Sequence, residues 1–212
     1  MEDTICAVST APGAGGIAVI RISGPEAIAI CNTIFVPRTA GKGLLSQKAY
    51  TLRYGSIRRG EELIDEVLIA LFRAPHSFTG EDTVEITCHG SVYIQQQIMQ
   101  LLIERGCRSA LPGEYTQRAF MNGKMDLSQA EAVADLIAST SAGQHRLALN
   151  QMRGDFSHEL KNLREQLLHI TSLMELELDF SDHEELEFAV ANSAHWRPIS
   201  KQSYRVWPTL SV

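Results

Sequence analysis

Two charged residues, Arg21 and Glu85, interrupt apolar runs that are typical of β-strands. Arg21 stands on the same side of its run as Ile17 and Val19, and Glu85 stands in the run Val84 to Ile86. A charge among apolar neighbours is costly unless it is paired. Two interpretations follow. Either the residues pair with each other across a sheet or point to solvent from an edge strand, or they belong to a site that binds a polar ligand.

Lys124 is the third candidate, because it lies in a short junction between two predicted helices. The first helix begins with Glu114, whose negative charge complements the helix dipole, and ends at residues 122–123, which tolerate a left-handed backbone. The second helix begins at Asp126, which forms a capping-box pattern with Gln129. A solvated lysine at a helix corner is the alternative interpretation.

These three charges have the chemistry of a site for a planar, polar ligand. A carboxylate accepts two parallel hydrogen bonds from an amino-substituted heterocycle, whereas Arg and Lys suit an anionic end. Under this interpretation, one ligand pocket is lined by Arg21, Glu85 and Lys124.

The acidic composition argues against an autonomous nucleic-acid-binding protein. The formal net charge is -6 and the sequence pI is 5.6, whereas phosphate contacts need clustered Lys and Arg. The longest apolar run, Val67 to Phe72, is far shorter than the roughly 20 residues that span a bilayer. The first three residues are acidic where a secretory leader would be basic. We therefore expect a cytoplasmic protein with no membrane partner.

Four cysteines, Cys6, Cys31, Cys88 and Cys107, lack the CxxC spacing of zinc sites and redox pairs. Buried, reduced thiols are expected, and no metal site. Cys88 and His89 are neighbours on a predicted strand, so their side chains point to opposite faces and make a poor nucleophile and base. The sequence therefore assigns no catalytic residue.

The first part of the chain predicts a mixture of strands and helices. Strands are expected at Thr4–Ser9, Ile17–Ser23, Ala49–Ile57, Leu63–Phe72 and Thr83–Cys88, and helices at Pro25–Phe35 and Val92–Arg105. The glycine-rich turn at residues 12–16 is followed by a strand, whereas a phosphate-binding loop needs a helix after it. A hairpin-like connection is expected there.

From Asp126 onward the sequence predicts nearly continuous helix. Apolar residues recur by four and three positions, as in the seam of a long helix that packs lengthwise on another: Phe156, Leu160, Leu163, Leu167, Ile170 and Met174. The partner is expected from elsewhere in a longer chain or from a second copy, and a hairpin with residues 128–139 is the alternative. The tail at residues 190–212 shows no sustained period, so irregular structure is expected there.

Three segments, in this order, resemble one known family: residues 10–24 (TAPGAGGIAVIRISG), 77–90 (SFTGEDTVEITCHG) and 112–137 (PGEYTQRAFMNGKMDLSQAEAVADLI). They are similar to the N-terminal part of the bacterial tRNA-modification GTPases called MnmE or TrmE, and the resemblance runs roughly from Thr4 to Ala189. It implies an α+β fold in which a mixed β-sheet with helices, like the folate-binding domain of aminomethyltransferases, precedes an α-helical segment with one long helix. The implied bounds are 1–122 for a folate-binding and dimerisation domain, 123–189 for a partial helical domain, and 190–212 for a divergent tail.

The resemblance also implies a ligand. The positions that contact folate in the family match Arg21, Glu85 and Lys124, with 5-formyltetrahydrofolate or a related tetrahydrofolate as the cofactor. Glu85 is expected to read the amino-amide edge of the pterin. Arg21 and Lys124 are expected to hold the oxygen-bearing or anionic parts, in a protein that forms a homodimer.

The full-length family modifies the wobble uridine of certain tRNAs, uses GTP with Mg and K, and has an MnmG/GidA-like flavoprotein as partner. The present sequence contains neither a GxxxxGK[ST] phosphate loop nor the family's C-terminal Cys-x-Gly-Lys motif. The resemblance therefore implies a partial product that is inactive as a GTPase by itself. Two other functions stay open: a stand-alone folate-dependent one-carbon transferase, and a non-catalytic dimerisation scaffold in which Arg21 and Glu85 form a structural ion pair.

Overall fold

Among the described residues, seven strands form one sheet. A computed structural model of the chain describes residues 3–39 and 43–180. The strands are β1 (Ile5–Val8), β2 (Ile17–Ser23), β3 (Phe35–Pro37), β4 (Thr51–Arg59), β5 (Glu62–Phe72), β6 (Thr83–His89) and β7 (Arg108–Ser109). They lie in the order β3-β4-β5-β6-β2-β1-β7, and all neighbours are antiparallel except β1 and β7. The sequence does not predict the short strands β3 and β7.

Some helices connect strands, and the others come after the last strand in the chain. They are α1 (Ala27–Ile34), a 3-10 helix (Leu44–Ser46), α2 (Val92–Glu104), α3 (Glu114–Met121), α4 (Leu127–Ala138), α5 (Ala142–Met152) and α6 (Asp155–Phe180). The predicted α+β class, a mixed sheet with helices followed by a helical segment with one long helix, is confirmed. No helix within the described ranges is both long and apolar enough to cross a membrane.

One face of the sheet, here called the inward face, forms the core. Ala18, Ile20 and Ile22 of β2 are buried on it and join apolar residues of α1 and α2 in one cluster. Because successive strand residues point to opposite sides, Arg21 lies with Ile17 on the other, outward face, where Ile17 is 66% exposed. The charge of Arg21 is therefore less costly than its apolar run suggests.

The glycine-rich turn connects the antiparallel strands β1 and β2, so the expected hairpin-like connection is confirmed. Its backbone packs against the end of β6, where the Gly15 N–H donates to the Gly90 carbonyl at 3.0 Å. A Cβ at position 90 would overlap the backbone of Gly15, so the close approach requires glycine there.

The expectation of nearly continuous helix after Asp126 is confirmed as far as Phe180, with two short breaks that the sequence analysis does not predict. The capping box of Asp126 and Gln129 opens α4 as predicted. The chain then leaves the helix after Ala138, and Ser141 caps α5 by accepting from the Gln144 N–H. A second break falls at residues 153–154, where glycine takes a φ of 85°. Ser, Thr and Gly favour caps and turns over helix interiors, which accounts for both breaks.

Backbone contacts divide the chain into two compact units, residues 1–155 and 156–212. The described part of the second unit is the rest of α6, in which the seam residues Leu160, Leu163 and Leu167 are exposed. Their predicted partner, a further segment or a second copy, stays a prediction. So do the domain bounds 1–122 and 123–189. Residues 181–189 and the tail at 190–212 lie outside the described residues.

Candidate functional site

Arg21 and Glu85 are direct cross-strand partners on β2 and β6. Nε of Arg21 donates to Oε1 of Glu85 at 2.9 Å, and Nη2 of Arg21 lies 2.7 Å from the same oxygen in an ion pair. The two side chains are 27% and 25% exposed. Of the interpretations left open by the sequence, pairing across the sheet is what the structure shows, on a half-exposed surface.

Two aromatic rings flank the guanidinium of Arg21. Its Cζ lies 5.6 Å from the ring centre of Phe78 and 5.7 Å from that of Tyr115. The Tyr115 hydroxyl also donates to the Arg21 carbonyl at 2.6 Å. Burial raises the pKa of the Tyr115 phenol, so this group stays a neutral donor. The charge pair therefore sits beside two π-faces that suit a cation or a planar ring.

Lys124 occupies the junction between α3 and α4, where its backbone N–H donates to the Ala119 carbonyl. Its Nζ donates to the carbonyl of Pro75 at 3.0 Å. No hydrogen bond or ion pair among the described residues joins Lys124 directly to Arg21 or Glu85. The connection runs through the loop that contains Pro75 and Phe78.

That connecting segment, residues 73–82 between β5 and β6, is here called the β5–β6 loop. Asn122 holds it by donating from Nδ2 to the Thr79 carbonyl at 2.7 Å. The Ser23 hydroxyl is 2.7 Å from the Thr79 hydroxyl and donates to Oε2 of Glu81 at 2.8 Å. The loop is thus fixed by β2 and by the end of α3, and it presents Phe78 to Arg21.

A buried charge cluster surrounds Arg118 of α3, which is fully excluded from solvent. Its Nη2 donates to Asp3 at 2.7 Å and to Glu114 at 3.1 Å, and its Nη1 donates to both carboxylate oxygens of Glu81 at 3.2 Å. Arg108 donates to the same Asp3 and Glu114. The Nε–H of Arg118 has no partner in the described part of the chain. Sequence reasoning missed this cluster, although the i,i+4 spacing of Glu114 and Arg118 was a weak signal.

The cluster is ionised at neutral pH. Hydrogen bonds from Arg108 hold the pKa of Glu114 at about 2, below its ordinary 4.5, against the opposing effect of burial. A hydrogen bond from Arg108 also lowers the pKa of Asp3. Burial disfavours the charged form of Arg118, but the carboxylates of Glu114, Glu81 and Asp3 outweigh it and raise the guanidinium pKa.

A second unpredicted pair joins His89 of β6 to Asp65 of β5. Oδ1 of Asp65 is 2.7 Å from the ring Nδ1 of His89, and Oδ2 accepts the His89 backbone N–H at 2.8 Å. Cys88 is buried on the inward face and burial raises its thiol pKa to about 11, whereas His89 is 69% exposed. The prediction that Cys88 and His89 point to opposite faces is confirmed.

All four cysteines are buried and none forms a disulfide, as the sequence predicts. Within residues 3–39 and 43–180, no three His, Cys, Asp or Glu residues come together as a possible metal site.

Two cavities lie away from the candidate residues. One of about 210 Å³ is lined by residues of α4, α5 and their connection, and one of about 180 Å³ by residues of β3, β4 and β5. Neither is lined by Arg21, Glu85 or Lys124. The candidate site is therefore a half-exposed part of the outward face and not one of these cavities.

The chemistry of the pair fits a ligand with an amino-substituted planar ring. The hydrogen bond and the ion-pair contact of Arg21 both involve Oε1 of Glu85. Oε2 accepts no hydrogen bond from residues 3–39 or 43–180, so it can accept one from a ligand. A half-exposed carboxylate can take such a bond without the full cost of a buried charge. Phe78 and Tyr115 add apolar faces beside it. A ligand must share Glu85 with Arg21, which is already paired.

Two protein-family models match the chain. The model described as GTP-binding protein TrmE N-terminus matches residues 4–124, and the MnmE helical domain matches residues 127–203. The first match alone covers more than half of the 212 residues. The chain belongs to the MnmE/TrmE family. The predicted membership is thus confirmed, and the helical-domain match continues beyond Ala189, where the resemblance seen in the motifs ends.

Curated relatives named tRNA modification GTPase MnmE are similar to most of this MnmE-family chain. The relative from Parabacteroides distasonis is 79% identical over 187 residues, which is 88% of this chain and 41% of the relative. One from Bacteroides fragilis is 70% identical over 188 residues, and one from Porphyromonas gingivalis is 57% identical over 188 residues, each covering 89% of this chain and 40% of the relative. The chain therefore spans about two fifths of the length of these relatives.

Proposed function

We propose that this chain is the folate-binding and dimerising portion of an MnmE-type tRNA-modification GTPase. The observation that carries the proposal is the Arg21–Glu85 pair on the outward face, flanked by Phe78 and Tyr115, with one carboxylate oxygen left to accept from a ligand. Family membership supports it, since the three charges lie in segments shared with the relatives' family.

In the proposed complex, Oε2 of Glu85 accepts from the amino-amide edge of a tetrahydropterin. Arg21 and Lys124 are the cationic groups for its oxygen-bearing or anionic parts. The side chain of Lys124 is exposed, and its Nζ donates to a backbone carbonyl, which a carboxylate of the ligand can replace. The bound folate supplies a one-carbon unit, and the residues of this chain bind and orient it.

Titration of 5-formyltetrahydrofolate by calorimetry tests the assignment of Glu85. Glu85→Gln is expected to lower the affinity about tenfold or more, because a hydrogen bond to a charged group contributes about 1.5 to 3 kcal/mol. Glu66→Gln is the matched control, since Glu66 also lies on the outward face and pairs with an arginine, Arg38. Unchanged affinity in Glu85→Gln, or an equal loss in Glu66→Gln, contradicts the assignment.

Dimerisation through the outward face is the second part of the proposal. This face exposes the large apolar side chains of Ile17, Leu52 and Tyr54. Covering them with a second copy is favourable, because it removes apolar surface from water. Sedimentation is expected to give twice the mass of one chain. A monomer at micromolar concentration contradicts this part.

A dimerisation scaffold without folate is the second candidate, and the self-pairing of Arg21 and Glu85 favours it. A wild-type chain that sediments as a dimer but shows no heat of binding with folate would select this function. GTP hydrolysis, tRNA and an MnmG/GidA-like flavoprotein belong in our proposal to the longer protein. This chain contributes its folate-binding part.

A further inference from the structure

The β5–β6 loop and α3 together set the surroundings of Arg21. The loop carries Phe78 and α3 carries Tyr115, the two rings that flank the guanidinium. Arg118, one turn after Tyr115 on α3, binds Glu81 at the end of the loop. One helix therefore holds both aromatic rings in place, one directly and one through a buried ion pair.

We propose that Arg118 and Glu81 are positioning residues for the folate site. Within the described residues, neither forms a hydrogen bond or ion pair with Arg21 or Glu85, and both act through the β5–β6 loop. This inference rests on the proposed function as far as the ligand is concerned. The positioning of the loop itself is independent of any ligand.

The geometry gives Arg118 a stronger hold on the loop than a single surface ion pair would. Arg118 donates to both oxygens of Glu81, and Ser23 donates to the same carboxylate. Glu81 is 11% exposed, so these bonds are little weakened by solvent. Nη2 of Arg118 donates to Asp3 and Glu114, and these bonds restrict the movement of the guanidinium.

The same loop also carries the acceptor for Lys124. The Pro75 carbonyl accepts a hydrogen bond from Nζ of Lys124. Asn122, two residues before Lys124, donates to the Thr79 carbonyl. A loop that shifts when Glu81 is released would therefore move Phe78 away from Arg21 and Pro75 away from Lys124. The ring beside Arg21 and the hydrogen-bond acceptor of Lys124 therefore both depend on the position of this one loop.

Glu81→Gln tests the inference, with Arg108→Gln as the matched control. Arg108 binds Asp3 and Glu114 of the same cluster, but among the described residues it forms no hydrogen bond or ion pair with Glu81. Two quantities are measured: amide hydrogen exchange by residue, and the affinity for 5-formyltetrahydrofolate. In Glu81→Gln we expect exchange in the β5–β6 loop to accelerate about tenfold and folate affinity to fall about tenfold, with exchange in β2 and β6 unchanged. In Arg108→Gln, we expect amide exchange in the β5–β6 loop and the affinity for 5-formyltetrahydrofolate to stay as in wild type.

A merely structural role predicts another pattern, in which exchange accelerates throughout the sheet and Arg108→Gln has the same effect. That pattern, or wild-type loop exchange in Glu81→Gln, overturns the inference. Arg118→Lys provides a second test, because lysine keeps the charge but cannot form the guanidinium fork, and we expect the loop exchange to accelerate there too. If wild type binds no folate, the proposed function fails, while the exchange data still decide whether Arg118 and Glu81 hold the loop.

Discussion

Two of the arginine–carboxylate groups, the one around Arg118 and the Arg21–Glu85 pair, differ in how they are enclosed. Arg118 is fully buried and bound by Asp3, Glu81 and Glu114, whereas Arg21 is 27% exposed and has Glu85 as its ion-pair partner. A buried cation must be surrounded by acceptors, because its desolvation costs several kcal/mol. The partly exposed pair has no such need, and Oε2 of Glu85 accepts no hydrogen bond from the described residues. We propose that the first group fixes structure and that the second is available to a ligand.

The largest expected effect on stability comes from the buried group formed by Arg118, Asp3, Glu81 and Glu114, here called the closed group. Arg118→Met is expected to lower the free energy of unfolding by about 3 kcal/mol, because it leaves the largely buried carboxylate of Glu81 without a cation and Glu114 with Arg108 alone. Urea unfolding followed by circular dichroism measures the change. A loss no larger than that of an exposed pair, below about 1 kcal/mol, would remove the contrast between the two groups.

The pH dependence of stability sharpens the same contrast. The pKa of Glu114 is lowered to about 2 from 4.5 in the folded chain, so its contribution is fully present above about pH 4.5. It is lost as the pH falls from there towards 2, which removes on the order of 2 kcal/mol. Urea unfolding between pH 6 and pH 2.5 is expected to show this decline, and a shallower one in Arg108→Gln. Parallel pH profiles for the two chains would contradict the assigned cause.

The smallest expected effect on stability comes from the Arg21–Glu85 pair, here called the open pair. Arg21→Gln is expected to change the free energy of unfolding by less than about 1 kcal/mol, because a half-exposed ion pair is screened by water and salt. The same variant is expected to weaken folate binding. Urea unfolding and calorimetric titration of one preparation measure both. A loss of stability as large as that of Arg118→Met would make the open pair a structural element instead.

The sequence predicts the parts of this fold that depend on local patterns. Alternation predicts β2 and β6, and the capping box of Asp126 and Gln129 predicts the start of α4. The cross-strand pairing of Arg21 and Glu85 was one of two interpretations, because alternation fixes the face of each residue but not the register between strands. Strand ends differ by a few residues, since propensity defines strand interiors better than ends.

The rest depends on contacts between distant segments. The burial of Arg118 brings together the N-terminus, the β5–β6 loop and α3, and no local pattern encodes that meeting. Hydrophobic periodicity alone predicts a buried stripe of Tyr115, Ala119 and Phe120 on α3. In the structure Phe120 is 39% exposed, and the buried positions include Glu114 and Arg118. Paired charges can occupy buried positions that hydrophobic patterns give to apolar residues.

The most direct test of the central claim, that the open pair binds the ligand and the closed group does not, is a nuclear magnetic resonance titration of the arginine Nε–H groups with 5-formyltetrahydrofolate. We expect the Arg21 resonance, assigned through Arg21→Gln, to shift saturably while the Arg118 resonance, assigned through Arg118→Lys, changes little. An unmoved Arg21 resonance at saturating ligand, or an equal shift of both resonances, would show that the Arg21–Glu85 pair is not the ligand site.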